Sequence, residues 1–149
     1  MQSQPTKIGP WGGPGGQPRD LRRPPYPNRL MRVIVTSREA IYSIKFTYVD
    51  ANGVQRDEGP WGGDGGAKQP GVELSDSEYI KEISGTVGPW ANVARIITSL
   101  KFVTNKGETY EYGQASGAPF HIPIEEGQIV GFFGRDGDLL DAIGVYVGV

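Results

Sequence analysis

GPWGGPGG, Gly9 to Gly16, returns almost unchanged as GPWGGDGG, Gly59 to Gly66, and in worn form as GQASG, Gly113 to Gly117. Self-similarity at long intervals marks a repeat architecture, in which neighbouring units close a core that none can close alone. The segments between these loops repeat as well. Ser43 opens SIKFTYVDANG, where Ile44, Phe46 and Tyr48 alternate with Lys45 and Thr47; Ser99 opens SLKFVTNKG, where Leu100 and Phe102 alternate with Ser99 and Lys101. A period-two apolar pattern running into a glycine turn predicts a hairpin with one face in the core. AIGVYV, from Ala142, repeats the first half of that hairpin, with Ile143, Val145 and Val147 on one face.

Spacing completes the pattern. From Ser43 to Gly59 is 16 residues, from Ser99 to Gly113 is 14, and from Ala142 through the C-terminus and on from the N-terminus to Gly9 is again 16. The last and first strands are therefore expected to pair as the third hairpin, with the chain ends side by side. LMRVIVTS, YIKEISGTV, FHIPI and IVGFFG read as further strands, and no window carries a capped helical period. The expectation is an all-β chain of three units, about four short strands each, forming three antiparallel sheets around one apolar core.

At 149 residues the chain is one domain, and without cysteine it has neither disulfides nor thiolate chemistry. The start MQSQPTKIGPW lacks an apolar leader, and no run of 18 apolar residues occurs. Cytoplasmic or nuclear localisation, with no membrane insertion, is the expectation. A net charge of −2 gives no footprint for nucleic acid. The basic stretch RDLRRPPYPNR, Arg19 to Arg29, reads as a solvated loop held irregular by its prolines.

The chemistry concentrates in GRDGDLLDAIG, Gly134 to Gly144. Asp136 and Gly137 mark a tight turn, and by the spacing argument that turn faces the loop Gly12 to Gly16. Glycine lets a backbone come within hydrogen-bonding reach of a ligand, and a carboxylate accepts two hydroxyl protons at once. Together they suit a vicinal diol of a sugar: Asp141 as acceptor, the amides of Gly16, Asp138 and Leu139 as donors. A plain turn with solvated carboxylates is the simpler reading of the segment alone. Asp136, Asp138 and Asp141 could also be taken for a calcium loop, but the EF-hand spacing is absent. A phosphate loop would need a helix after Gly16, and Gln17-Pro18 follows instead. A glycosidase would need an opposed acid, which the turn does not offer. His121 reads as an ordinary residue of FHIPI, and Trp11, Trp61 and Trp90, each after Gly-Pro, as packing for the loop ends.

These residues, above all GFFGRDGDLLDAIGVYV with its glycine, three residues, aspartate signature (Gly137 to Asp141), resemble the jacalin-related lectins, in particular the mannose-binding type of monocot plants. The resemblance runs from about Lys7 to Val149, leaving residues 1–6 as a flexible extension and 7–149 as a single lectin domain. It implies a β-prism I fold of three four-stranded Greek-key sheets with pseudo-threefold symmetry. It further implies a sugar site of Gly16, Gly137, Asp138, Leu139 and Asp141, with no metal, no cofactor and no enzymatic activity, in a homo-oligomer. Galactose-preferring relatives are cleaved ahead of the first loop; here MQSQPTKI runs into Gly9 unbroken, which points to mannose and glucose. The positions equivalent to Gly137–Asp141 are Arg38, Glu39, Ala40, Ile41 and Tyr42 in the first repeat, and Ala94, Arg95, Ile96, Ile97 and Thr98 in the second. Neither keeps both glycine and aspartate, so one site per chain is expected. A protein-interaction module that keeps the prism without binding sugar is the alternative.

Overall fold

The computed structural model describes residues 4–21, 24–122 and 124–149. Of the expected N-terminal extension, residues 1–3 lie outside the described residues, as do Arg22 and Arg23 of the basic stretch and Pro123 of FHIPI. In chain order the strands are β1 (Thr6–Gly12), β2 (Gln17–Arg19), β3 (Pro27–Ser37), β4 (Ile41–Asp50), β5 (Gln55–Gly62), β6 (Ala67–Lys68), β7 (Val72–Glu73), β8 (Ile80–Trp90), β9 (Val93–Thr104), β10 (Thr109–Gly113), β11 (Ala118–Ile122), β12 (Gln128–Asp136) and β13 (Leu140–Gly148). No helix occurs among the described residues.

The strands form three antiparallel sheets with the orders β1-β13-β12-β2, β5-β4-β3-β6 and β10-β9-β8-β11. Read around the circle of the chain, each is the same Greek key: two hairpins in succession, then a fourth strand laid beside the first. The middle sheet departs from the expected four. β6 pairs only with Thr36 and Ser37 of the long β3, leaving Arg32 and Val33 open to β7 as a fifth strand. The third hairpin forms across the termini as expected, with Thr6 opposite Val147 and Ile8 opposite Val145.

Register corrects one detail of the spacing. Gly12 lies opposite Ala142, Gly62 opposite Ser43 and Gly113 opposite Ser99. Gly113 thus corresponds to Gly12 and Gly62, not to Gly9 and Gly59. The Gly-Pro-Trp part of the phrase coincides with a register shift in β1 and in β5, whereas β10 pairs with β9 without one. A straight edge strand does not need the bulge-forming residues, which is why the third copy lacks them.

Alternation places the large side chains inward. Phe46 from β4, Phe102 from β9 and Phe132 from β12 meet at the centre, Phe132 lying 5.0 Å from Phe46 and 6.2 Å from Phe102 between ring centroids. All three are fully buried, and each such side chain contributes roughly 1.5–3 kcal/mol of burial free energy. Trp61 joins this core against Phe46, Trp11 packs at its margin stacked on Phe120, and Trp90 packs on a smaller cluster at one end. The basic stretch is less free than its composition suggests: Leu21 is in the core, Arg19 pairs with Asp136, and Arg29 donates to the Ser75 carbonyl at 3.0 Å.

Candidate functional site

β12 and β13 are joined by a tight turn in which Asp136 pairs with Leu140 and the Gly137 amide donates to the Leu139 carbonyl at 3.0 Å. Two contacts fix this turn. The Leu139 side chain is buried in the small end cluster with Ala40 and Ile96, the residues at the same position of the other two repeats. The backbone of Asp138 rests on Gly63, where a Cβ would run into the Asp138 carbonyl. Asp138 itself is exposed.

Asp141, one residue past the turn, is 5% exposed. Its carbonyl accepts from the Gly13 amide at 2.8 Å, and its carboxylate lies under the loop. A Cβ on Gly15 would stand 2.7 Å from Asp141 Oδ2 and one on Gly16 2.8 Å from Oδ1. Gly16 also has φ +70° and would drive a Cβ into the Asp136 carbonyl. Only glycine allows the loop to close this far onto the acid. Gly137 completes the cluster, its Cβ position 3.6 Å from both Asp141 Oδ1 and Gly16 Cα. The structure therefore brings together Gly16, Gly137 and Asp141, with Asp138 and Leu139 on the same turn. The Gly137 amide faces both the Leu139 carbonyl and the Asp141 carboxylate, so it ties the turn to the acid.

Burial pushes the Asp141 carboxyl above its ordinary value of 3.8, and the neighbouring Asp136 and Asp138 charges add to the push. Arg135 and the Gly137 amide oppose it. Asp136, 3% exposed, is held by Arg19 Nε at 2.7 Å. Arg135, which sequence reasoning passed over, donates from Nε to the Gly15 carbonyl and from Nη2 to the Gly16 carbonyl, each at 3.0 Å. No spacing rule could have found it, because its direction depends on the pairing of β12 with β2.

The other two copies keep the backbone and lose the chemistry. The Gly63 amide donates to the Tyr42 carbonyl at 3.1 Å and the Gln114 amide to the Thr98 carbonyl at 3.1 Å, both equivalent to Gly13 on Asp141. In the first repeat the Tyr42 ring fills the space, 2.5 Å from a Cβ on Gly65 and 2.8 Å from one on Gly66. In the second, the Thr98 hydroxyl is 1% exposed and donates to the Ser116 carbonyl at 2.7 Å. His121 sits apart on β11, paired with Ser84 and 3.3 Å from Glu82.

The profile of the jacalin-like lectin domain matches residues 8–146. The chain belongs to this family. Horcolin of Hordeum vulgare is 47% identical to this chain over 147 residues, covering 97% of this chain and 98% of horcolin. A mannose/glucose-specific lectin of Parkia platycephala is 40% identical over 94% of this chain and 31% of its own length. Among solved structures, AcmJRL, a mannose-binding jacalin-related lectin from Ananas comosus, superposes with a TM-score of 0.90 at 38% identity, over 97% of this chain and 98% of that one. The jacalin-like architecture is thus a β-prism of three sheets, and with lectins as its relatives the domain is not an enzyme.

Proposed function

We propose that this jacalin-like domain binds mannose- or glucose-type sugars at one metal-independent site, formed by the Asp141 carboxylate and the amides of Gly16, Asp138 and Leu139. The observation that carries this reading is the buried Asp141 carboxylate lying beneath Gly15 and Gly16. A desolvated carboxylate beside close-approaching backbone offers a sugar diol charge-assisted acceptors and neutral donors in one place. The mannose-binding relative from Ananas comosus and the mannose/glucose-specific lectin from Parkia platycephala support the sugar class. Asp136, committed to Arg19, is drawn away from the calcium arrangement that its spacing allowed. The interaction-module alternative gains no support: among the described residues the exposed large hydrophobics are only Val54 and Val149, too few for an apolar docking face.

Titration calorimetry of methyl α-mannoside with a chelator present tests the proposal. The native domain should bind at about one site per chain and Asp141→Ala should not; binding that requires calcium would sink the metal-independent reading. A single site of this kind typically binds at about millimolar strength, so a homo-oligomer supplies the avidity. Sedimentation showing only monomer at micromolar concentration would remove that part of the proposal.

A further inference from the structure

β2 is an edge strand of three residues whose middle one, Pro18, has no N–H to give to a ladder. The loop it anchors nevertheless has to stay closed on Asp141. Two arginines cross between the strands to hold it. Arg19 reaches from β2 to Asp136 Oδ1 at 2.7 Å. Arg135, opposite Pro18 in register, reaches from β12 to the carbonyls of Gly15 and Gly16, 3.0 Å each. The degenerate first repeat has no such clasp: Thr36 stands at the equivalent position and its hydroxyl is 2.5 Å from that of Ser43.

We propose that Arg135 is the positioning residue of the sugar site, its guanidinium holding Gly15 and Gly16 so that the Gly16 amide and the Asp141 carboxylate form one fixed donor–acceptor pair. This rests on the sugar-binding reading and deepens it. A planar fork bonded to two successive carbonyls restrains the loop before any ligand arrives, which removes an ordering cost from binding. The same cation faces Asp141 together with Asp136, which carries Arg19, and Asp138, while the loop Gly12 to Gly16 brings no charge. Arg135 therefore also favours the ionised carboxylate that accepts the sugar hydroxyls.

Arg135→Gln and Arg135→Lys test this with three measurements. Amide hydrogen exchange without sugar should rise in residues 12–19 of the glutamine variant and leave the matching residues 62–69 unchanged. Methyl α-mannoside should bind the glutamine variant about tenfold more weakly, the scale of one charge-assisted hydrogen bond, with part of the loss recovered by lysine. The acidic limb of binding should move to higher pH in the glutamine variant and stay in place in the lysine variant, which keeps the charge. Unchanged exchange in 12–19, or a rise spread over the whole fold, would overturn the clasp whether or not sugar binds. Equal losses of affinity in both variants with an unmoved acidic limb would overturn it as well. A native protein blind to mannoside would instead overturn the sugar reading, with exchange still deciding the clasp.

Discussion

The loops Gly12–Gly16 and Gly62–Gly66 have nearly the same backbone, with φ of +138° against +134° at the first glycine and +70° against +78° at the last. Beneath one lies a carboxylate, beneath the other a phenol ring. The glycines therefore answer first to the prism, which brings Gly13 against Arg95 and Gly63 against Asp138 too closely for a side chain. A glycine loop in this fold is a structural requirement, and under the proposed function it is the side chain at the position of Asp141, carboxylate or ring, that separates a sugar-accepting loop from a filled one.

Asp141→Asn should break the comparison most severely. It keeps the shape and removes the charge, so affinity for methyl α-mannoside should fall at least about 100-fold, the sum of two charge-assisted hydrogen bonds. Stability should move the other way. Because the folded-state pKa of Asp141 is raised, the folded protein holds that proton more tightly than the unfolded chain does, and ionisation at neutral pH weakens the fold. A higher melting temperature at pH 7 with no binding is the expected pair of results, and a fall in melting temperature would contradict it.

The same reasoning separates binding from folding on acidification. At Asp50 and Glu78 burial opposes ionisation, but hydrogen bonds prevail: Arg56, Val54 and Asn52 lower the first, Thr104 and Ser75 the second. Their stabilisation is present above the unfolded values of 3.8 and 4.5 and is lost as pH falls through them toward the lowered folded values. Asp141, shifted upward, should lose its charge earlier. Sugar binding should therefore disappear at a pH where circular dichroism still reports the intact fold.

Much of this was legible in the sequence because the repeat copies itself. The alternation at Ile44, Phe46 and Tyr48 gave the inward face, and the circular spacing gave the pairing of β1 with β13. Register was not legible to the residue, since the bulge at Gly9-Pro10 is absent from β10, and that misplaced Gly113 against its counterparts. Within the candidate site, Gly16 and Asp141 could be singled out by residue type and spacing, and Gly137 by its resemblance to the lectin signature. Arg135 could not be, because a guanidinium that bonds backbone carbonyls on another strand leaves no mark in its own neighbourhood.

Restoring chemistry to the first repeat sharpens the comparison further. Tyr42→Asp combined with Arg38→Gly removes the ring over Gly65 and Gly66 and reopens the turn. Calorimetry should then find close to two sites per chain, the new one weaker, since Thr36 replaces the arginine that clasps the native loop. A stoichiometry that stays at one, in a variant that remains folded, would show that aspartate and glycine alone do not make a site.

Thr98→Val carries the smallest effect and completes the set of three. The hydroxyl at this third copy is buried, donates to the Ser116 carbonyl at 2.7 Å and lies 2.6 Å from Thr86 Oγ1. Valine keeps the volume but removes both of these hydrogen bonds, a cost of about 1–2 kcal/mol in chemical denaturation. Mannoside affinity should stay within about twofold, well under the tenfold that 1.4 kcal/mol would produce. Had the third loop a part in sugar binding, the two measurements would fall together. Their separation would show that Thr98 ties backbone and takes no part in binding, at the position where Tyr42 covers its loop and Asp141 is the proposed acceptor.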